Sequence, residues 1–206
     1  MKVIDIEQRT DEWYDIRKGK FTGKKANRAM SSRKDTVEDC FYELLSERLS
    51  IDEEEDESAM ERGTRLEPEA IKKFEEVTGK KVETVGFCVS DISEHIAYSP
   101  DGLIKTKGKY RENVEAKCLS GKNHLRAYIE QKVPQEYWFQ IIQAFVVNDD
   151  LDLNYLAFYD PRIAEIPFFY LTVKRGDVLE DIEVSRQKQL DMLEKIDDTI
   201  TNLIKF

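Results

Sequence analysis

The chain has 206 residues, 40% apolar and 36% charged, with a formal net charge of −10; that length fits one domain (1–206) with room for a core. No apolar run spans a membrane and no basic-apolar signal peptide opens the chain, so a cytoplasmic, reducing interior is the expected compartment. Three unevenly spaced cysteines make neither a zinc site nor a disulfide framework, two histidines exclude a histidine-rich metal centre, and the acid excess argues against indiscriminate nucleic-acid binding while leaving room for a basic channel.

Residues 2–7 alternate weakly and predict a short strand. Thr10 caps a helix over 11–18, with Asp11 and Glu12 in its first turn and Gly19 at its end. A second short helix starts near Thr22. Arg17, Lys18, Lys20, Lys24, Lys25 and Arg28 make this the most basic part of the N-terminal third. Helix starts beside basic side chains can hold phosphate; a solvated amphipathic face is the plain alternative. Val37, Phe41, Leu44 or Leu45, and Leu49 predict a helix over 37–49. The acidic run 52–57 reads as a solvated loop or helix start.

Over 59–78, Leu66, Ala70, Phe74 and Val77 form a helical stripe closed by Gly79. Pro68 predicts a helix start or kink. Glu67 lies beside the stripe, where it either reaches a metal site or stays on the surface. Strands at 82–89 and 96–99 follow. Pro100-Asp101-Gly102 is a turn, with glycine there for its tolerance of unusual φ. Leu103 and Ile104 resume a strand, and Lys107-Gly108-Lys109 is a hairpin turn.

Residues 110–117 alternate again. Val114 and Ala116 take one face, and Glu115 and Lys117 the other. Glu115 and Lys117 therefore project together toward the space that Asp101 faces. Two carboxylates can hold a hard divalent cation, and a lysine beside them can position water or neutralise phosphoryl charge. The pattern, Asp101 then thirteen residues then E-x-K, is short, and an ordinary solvated hairpin can also carry it. Ser120-Gly121-Lys122-Asn123 predicts a loop near that site, 125–129 a helix turn, and Pro134 opens a firmer helix with Tyr137, Gln140, Ile141, Ala144 and Val147. Gln140 either orients a water or metal ligand or is an amide at the core rim. Strands at 153–159 and 166–173 precede a C-terminal helical segment, about 177–206, striped by Leu190, Leu193, Ile196, Ile200 and Leu203.

The order helix acid Glu67, S-P-D-G turn acid Asp101, Glu115-x-Lys117, then Gln140 resembles the phage lambda exonuclease family of viral recombination nucleases, in the PD-(D/E)XK superfamily. The likeness runs from about Arg9 to Val173. It takes in Thr10-Asp11-Glu12-Trp13 through Arg17-Lys18-Gly19, Gly63-Thr64-Arg65-Leu66-Glu67, Ser99-Pro100-Asp101-Gly102-Leu103, Glu115-Ala116-Lys117, Tyr137-Trp138-Phe139-Gln140 and Tyr159-Asp160-Pro161-Arg162. Each motif is common alone; their shared order is specific. Two positions depart from the family. Lys24 stands where a phosphate-holding serine is usual. Asn123 stands near a family arginine, with Lys122 beside it as a substitute.

The resemblance implies an α/β fold with a central mixed sheet flanked by helices. It implies an Mg²⁺-dependent 5′-to-3′ exonuclease on double-stranded DNA ends, releasing 5′ mononucleotides and leaving 3′ overhangs for single-strand annealing. Glu67, Asp101, Glu115 and the Ala116 carbonyl would hold two Mg²⁺ ions, with Mn²⁺ able to substitute. Lys117 and Gln140 would handle the attacking water. Arg17, Lys24, Arg28, Lys122 and Tyr137 would bind DNA, Arg17 at the terminal 5′ phosphate. A homotrimeric ring, a phage single-strand annealing partner and a bacterial host cytoplasm belong to the same expectation. An endonuclease or junction resolvase of the superfamily, cutting internally, is the alternative.

Overall fold

The computed structural model describes residues 10–15, 32–49, 59–93 and 95–204. The expected strand at 2–7, the basic helix starts that carry Arg17, Lys24 and Arg28, and the acidic run 52–57 lie outside these. The described helices are α1 (Asp11–Asp15), α2 (Lys34–Leu49), α3 (Ala59–Thr78), α4 (Gly121–Glu130), α5 (Gln135–Val147) and α6 (Leu179–Ile204). The strands are β1 (Cys88–Val89), β2 (Ala97–Tyr98), β3 (Gly102–Thr106), β4 (Lys109–Lys117), β5 (Leu153–Tyr159) and β6 (Phe168–Lys174).

β3 to β6 form a four-stranded sheet in sequence order, while β1 and β2 pair separately. β3 and β4 are an antiparallel hairpin across Lys107 and Gly108, both at positive φ (51° and 83°). Two such residues make the tight turn whose twist suits a two-residue hairpin. β4 and β5 are parallel, so α4 and α5 form the crossover between them; β6 returns antiparallel to β5. The result is a mixed sheet flanked by helices, as the resemblance implied.

The alternation in β4 sets the two layers. Val114 packs with Phe74 of α3, Ile104, Tyr155 and Ala157. On the opposite face Leu156 and Phe158 pack with Ile141, Ile142 and Phe145 of α5, and Leu190 and Leu193 of α6 cover that cluster. The side chains of Ile196, Ile200 and Leu203 lie outside the described residues. Arg175 fastens α5 to the start of the last helix: its Nε donates to Leu151 O at 2.7 Å and its Nη2 to Phe145 O and Asn148 O at 2.6 Å each.

Several expectations need correction. Pro68 does not start α3; it sits exposed inside the helix, nine residues after Ala59. Leu66, Ala70 and Phe74 are buried, but Val77 is 56% exposed because the stripe drifts off the sheet in the last turn. Among the side chains of α2 that the structure describes, Cys40, Tyr42 and Leu44 are buried and Phe41 is exposed; Leu49 lies outside them. Residues 82–89 are not one strand: Glu83 makes a single bridge to Leu103, and pairing resumes only at Cys88. The segment Ser120–Asn123 is not a loop. Ser120 sits extended at the N-cap and its carbonyl accepts from His124 N–H at 2.9 Å, so α4 begins at Gly121.

Candidate active site

β3 stops where Gly102 pairs with Val114, which leaves the last residues of β4 with an open edge. Asp101, one residue before β3, fills that edge: its Oδ2 accepts from Ala116 N–H at 2.8 Å. The turn glycine serves this approach by size. Gly102 has no positive φ, but a Cβ there would lie 2.2 Å from Val82 Cγ1. The expectation that unusual φ explains Gly102 is therefore replaced by a steric reason.

Glu115 and Lys117 share the α5 face of β4, as alternation requires. Lys117 Nζ donates to Glu115 Oε1 at 2.8 Å, and Gln140 Nε2 from α5 donates to the same oxygen. Lys117 Nζ also lies 5.1 Å from the centre of the Tyr137 ring. An open pocket of about 410 Å³ gathers Glu67, Asp101, Glu115, Ala116, Lys117, Tyr137 and Gln140, with Arg62 and Asn123 on its wall. The site lies at the C-terminal end of a parallel strand, where open α/β sheets leave a crevice.

The electrostatics follow from crowding. Glu115 is 3% exposed. Burial pushes its carboxyl up to about 7; Lys117 pulls down and Asp101 pushes up, and burial dominates. Glu67, on α3, is raised by burial first and by Asp101 next, against the pull of Lys117. Among the described residues no three His, Cys, Asp or Glu side chains converge as a ready-made metal cage. Asp101 is turned onto Ala116 N–H, and Glu115 onto Lys117 and Gln140. The donor set still fits a hard cation: three carboxylates share one pocket, and their mutual repulsion is the kind a divalent ion relieves.

Lys122 stands apart from this pocket. It is 3.6 Å from Asp39 of α2, on the side of α4 away from the carboxylates, and Asn123 lines the pocket instead. The reason is that residues 121–123 are helical, so neighbouring side chains point about 100° apart. Arg17, Lys24 and Arg28 lie outside the described residues.

The YqaJ-like viral recombinase domain matches residues 12–149. The chain belongs to that family. Glu67, Asp101, Glu115, Lys117 and Gln140 of this YqaJ-like chain all fall inside the matched stretch. Its structure is similar to that of the alkaline exonuclease LHK-Exo from Laribacter hongkongensis, with 26% identity, 94% of this chain and 97% of that chain covered, and a TM-score of 0.61. The same enzyme in complex with dAMP matches with 26% identity, the same coverage and a TM-score of 0.60. No curated protein matches. The fold is thus of the PD-(D/E)XK exonuclease type, and the family supports a nuclease role.

Sequence reasoning passed over Arg62. It stands one helical turn before Leu66, on the buried stripe, and is 4% exposed. An arginine continuing an apolar stripe at i−4 is the signal that could have found it. It also passed over Asn113 and Asn154, a buried cross-strand pair joined at 3.3 Å, beneath Glu115 on the same face.

Proposed function

We propose that this chain is an Mg²⁺-dependent exonuclease that digests double-stranded DNA from 5′ ends, releasing 5′ mononucleotides and leaving 3′ single-stranded overhangs for recombination. The observation that carries this reading is one pocket lined by three carboxylates, Lys117, Tyr137 and Gln140. Glu67, Asp101, Glu115 and the Ala116 carbonyl hold the metal, with Mn²⁺ able to replace Mg²⁺ and two ions per site. Bound there, the metal supplies an acidified water and screens charge on the phosphodiester.

The chain's own groups account for the remaining work. Gln140 and Lys117 fix the rotamer of Glu115 through its Oε1. Asp101 is steadied by Ala116 N–H. Lys117 Nζ, held against Tyr137, orients the attacking water and offsets charge as it develops on the phosphoryl oxygens. Arg17 takes the terminal 5′ phosphate, because a guanidinium grips two oxygens at once; Lys24 and Arg28 extend that contact. The dAMP bound to LHK-Exo is a mononucleotide of the product class. A homotrimeric ring around the duplex, a phage single-strand annealing partner and a bacterial cytoplasm complete the reading.

The test is a time course on linear duplex labelled at the 5′ or 3′ end, with covalently closed circles alongside, in Mg²⁺ and in EDTA. Early release of labelled mononucleotide from the 5′ end, intact circles and silence in EDTA are expected. Nicked or linearised circles would instead favour an internally cutting endonuclease.

A further inference from the structure

The Tyr159-Asp160-Pro161-Arg162 stretch leads to a residue that the centre has not yet used. Asp160 is fully buried, and Arg162 holds it in a fork, Nε to Oδ1 at 2.8 Å and Nη2 to Oδ2 at 2.9 Å, while Arg162 N–H donates to Oδ1 at 3.1 Å. On the other side stands Arg62 of α3, Nη1 4.0 Å from Asp160 Oδ2. Arg62 Nη2 donates to Cys118 O at 3.0 Å. Cys118 is the residue after Lys117, and Arg62 lines the same pocket as Glu67, Asp101 and Glu115.

Burying a guanidinium is costly unless its charge and its donors are matched. The fork of Arg162 already matches Asp160, so neutralising Asp160 does not explain a second buried arginine. What Arg62 adds is a charge-assisted donor to the backbone at the end of β4. That end carries Glu115, Ala116 and Lys117. Arg62 itself sits five residues before Glu67 on the facing helix. Its planar fork sets Nη2 on Cys118 O while Nη1 stands 4.0 Å from Asp160 Oδ2, an arrangement that a lysine ammonium on a flexible stem does not hold.

We infer that Arg62 is a positioning residue of the carboxylate centre, tying the C-terminal end of β4 to α3 and so fixing the gap between Lys117 and Glu67. The inference rests on the nuclease reading. Displacing catalytic groups by about 1 Å can cost about a hundredfold in rate without touching substrate affinity, so the spacing is worth a dedicated tie.

The experiment compares wild type, Arg62→Met and Arg62→Lys in single-turnover cleavage of a 5′-phosphorylated linear duplex at saturating enzyme. Duplex affinity in EDTA and amide exchange over residues 116–120 in the metal-free protein are measured on the same samples. Arg62→Met is expected to lose about a hundredfold in rate, to raise the half-saturating Mg²⁺ and to keep duplex affinity within about twofold. Arg62→Lys is expected to recover part of the rate. Exchange at 118–120 rises in Arg62→Met while that in α5 stays put. A folded Arg62→Met with wild-type rate and Mg²⁺ requirement overturns the inference, as does unchanged exchange at 118–120. Where Arg62→Met does not fold, Arg62→Lys carries the test, because an ammonium does not keep both partners of the guanidinium: a lower rate with raised exchange at 118–120 supports the tie, and wild-type rate with wild-type exchange overturns it. Wild type that cleaves nothing in Mg²⁺ overturns the nuclease reading itself, a result visible before any variant is compared.

Discussion

Replacing Glu115 by glutamine should make the metal-free protein more stable, although it removes a residue placed at the centre of the chemistry. Glu115 is 3% exposed, and burial pushes its carboxyl from 4.5 up to about 7. A carboxyl raised on folding is favoured in its protonated form, so its penalty is absent below pH 4.5, grows from there to pH 7 and is complete above. Each unit corresponds to about 1.4 kcal/mol, which gives about 3 kcal/mol above pH 7 and about 1 kcal/mol at pH 5.5. The pull of Lys117 is already inside that balance. Glutamine keeps the shape and cannot ionise. In EDTA at pH 8, Glu115→Gln should melt about 6–12 °C above wild type for a chain of this size, and the gap should shrink at pH 5.5. Millimolar Mg²⁺ should then raise wild type and leave the variant nearly unmoved, because binding to the folded state alone stabilises it. A variant less stable than wild type at pH 8 in EDTA, or a gap that ignores pH, would refute the reasoning.

Other expected outcomes follow from the same geometry. Lys117→Ala should slow single-turnover cleavage at saturating enzyme by about a hundredfold or more while binding DNA nearly as well; an unchanged rate removes Lys117 from the chemistry. Gly102→Ala places a methyl 2.2 Å from Val82 Cγ1 and should cost about 1–3 kcal/mol in a urea titration, largely restored by adding Val82→Ala. If the double variant is no more stable than Gly102→Ala alone, the steric account of that glycine fails. Arg17→Ala should shrink the rate preference for 5′-phosphorylated over 5′-hydroxyl ends about ten- to a hundredfold, the worth of a charge-assisted hydrogen bond. Initial rates on duplexes that differ only at the 5′ terminus measure this, and a wild type indifferent to the phosphate removes the role.

What the sequence disclosed tracks how local each cause is. The hairpin and β4 were legible because period-two alternation and a Lys-Gly turn act within a few residues; Glu115 and Lys117 fell on one face with no tertiary information. β5 was legible for the same reason, as an apolar run between turn residues. Residues 82–89 misled because Val82 and Val85 look strand-like, while pairing depends on a partner that β3 offers only at Leu103. Residues 120–123 misled because Ser, Gly and Asn favour turns and also favour helix starts, and only the carbonyl of Ser120 meeting His124 N–H decides between them. Arg62 and Asn113 were invisible for a different reason. Polar side chains in the interior are placed by what surrounds them, and those surroundings come from Cys118, Asp160 and Asn154, 40 or more residues away in each case.

Two of the three carboxylates of this site, Asp101 and Glu115, already accept from the protein's own donors, and that would shape how a cation enters. Glu115 Oε1 accepts from both Lys117 and Gln140, and Asp101 Oδ2 accepts from the Ala116 amide. Those bonds hold Asp101 and Glu115 in one pocket with Glu67, with the Lys117 ammonium as the counter-charge at 2.8 Å, at the expense of a carboxyl raised by burial. A cation that takes Oε1 therefore competes with an ammonium for the same lone pairs. Were Oε1 given over to a cation, Lys117 would lose that acceptor while Tyr137 still bounds it on one side. The lysine would then be held near the pocket and no longer committed to Glu115. Under the proposed function, metal loading and the placement of Lys117 would thus be coupled through a single oxygen atom. It would give the convergence of Gln140 and Lys117 on Glu115 Oε1 a role in catalysis beyond fixing the rotamer of that carboxyl.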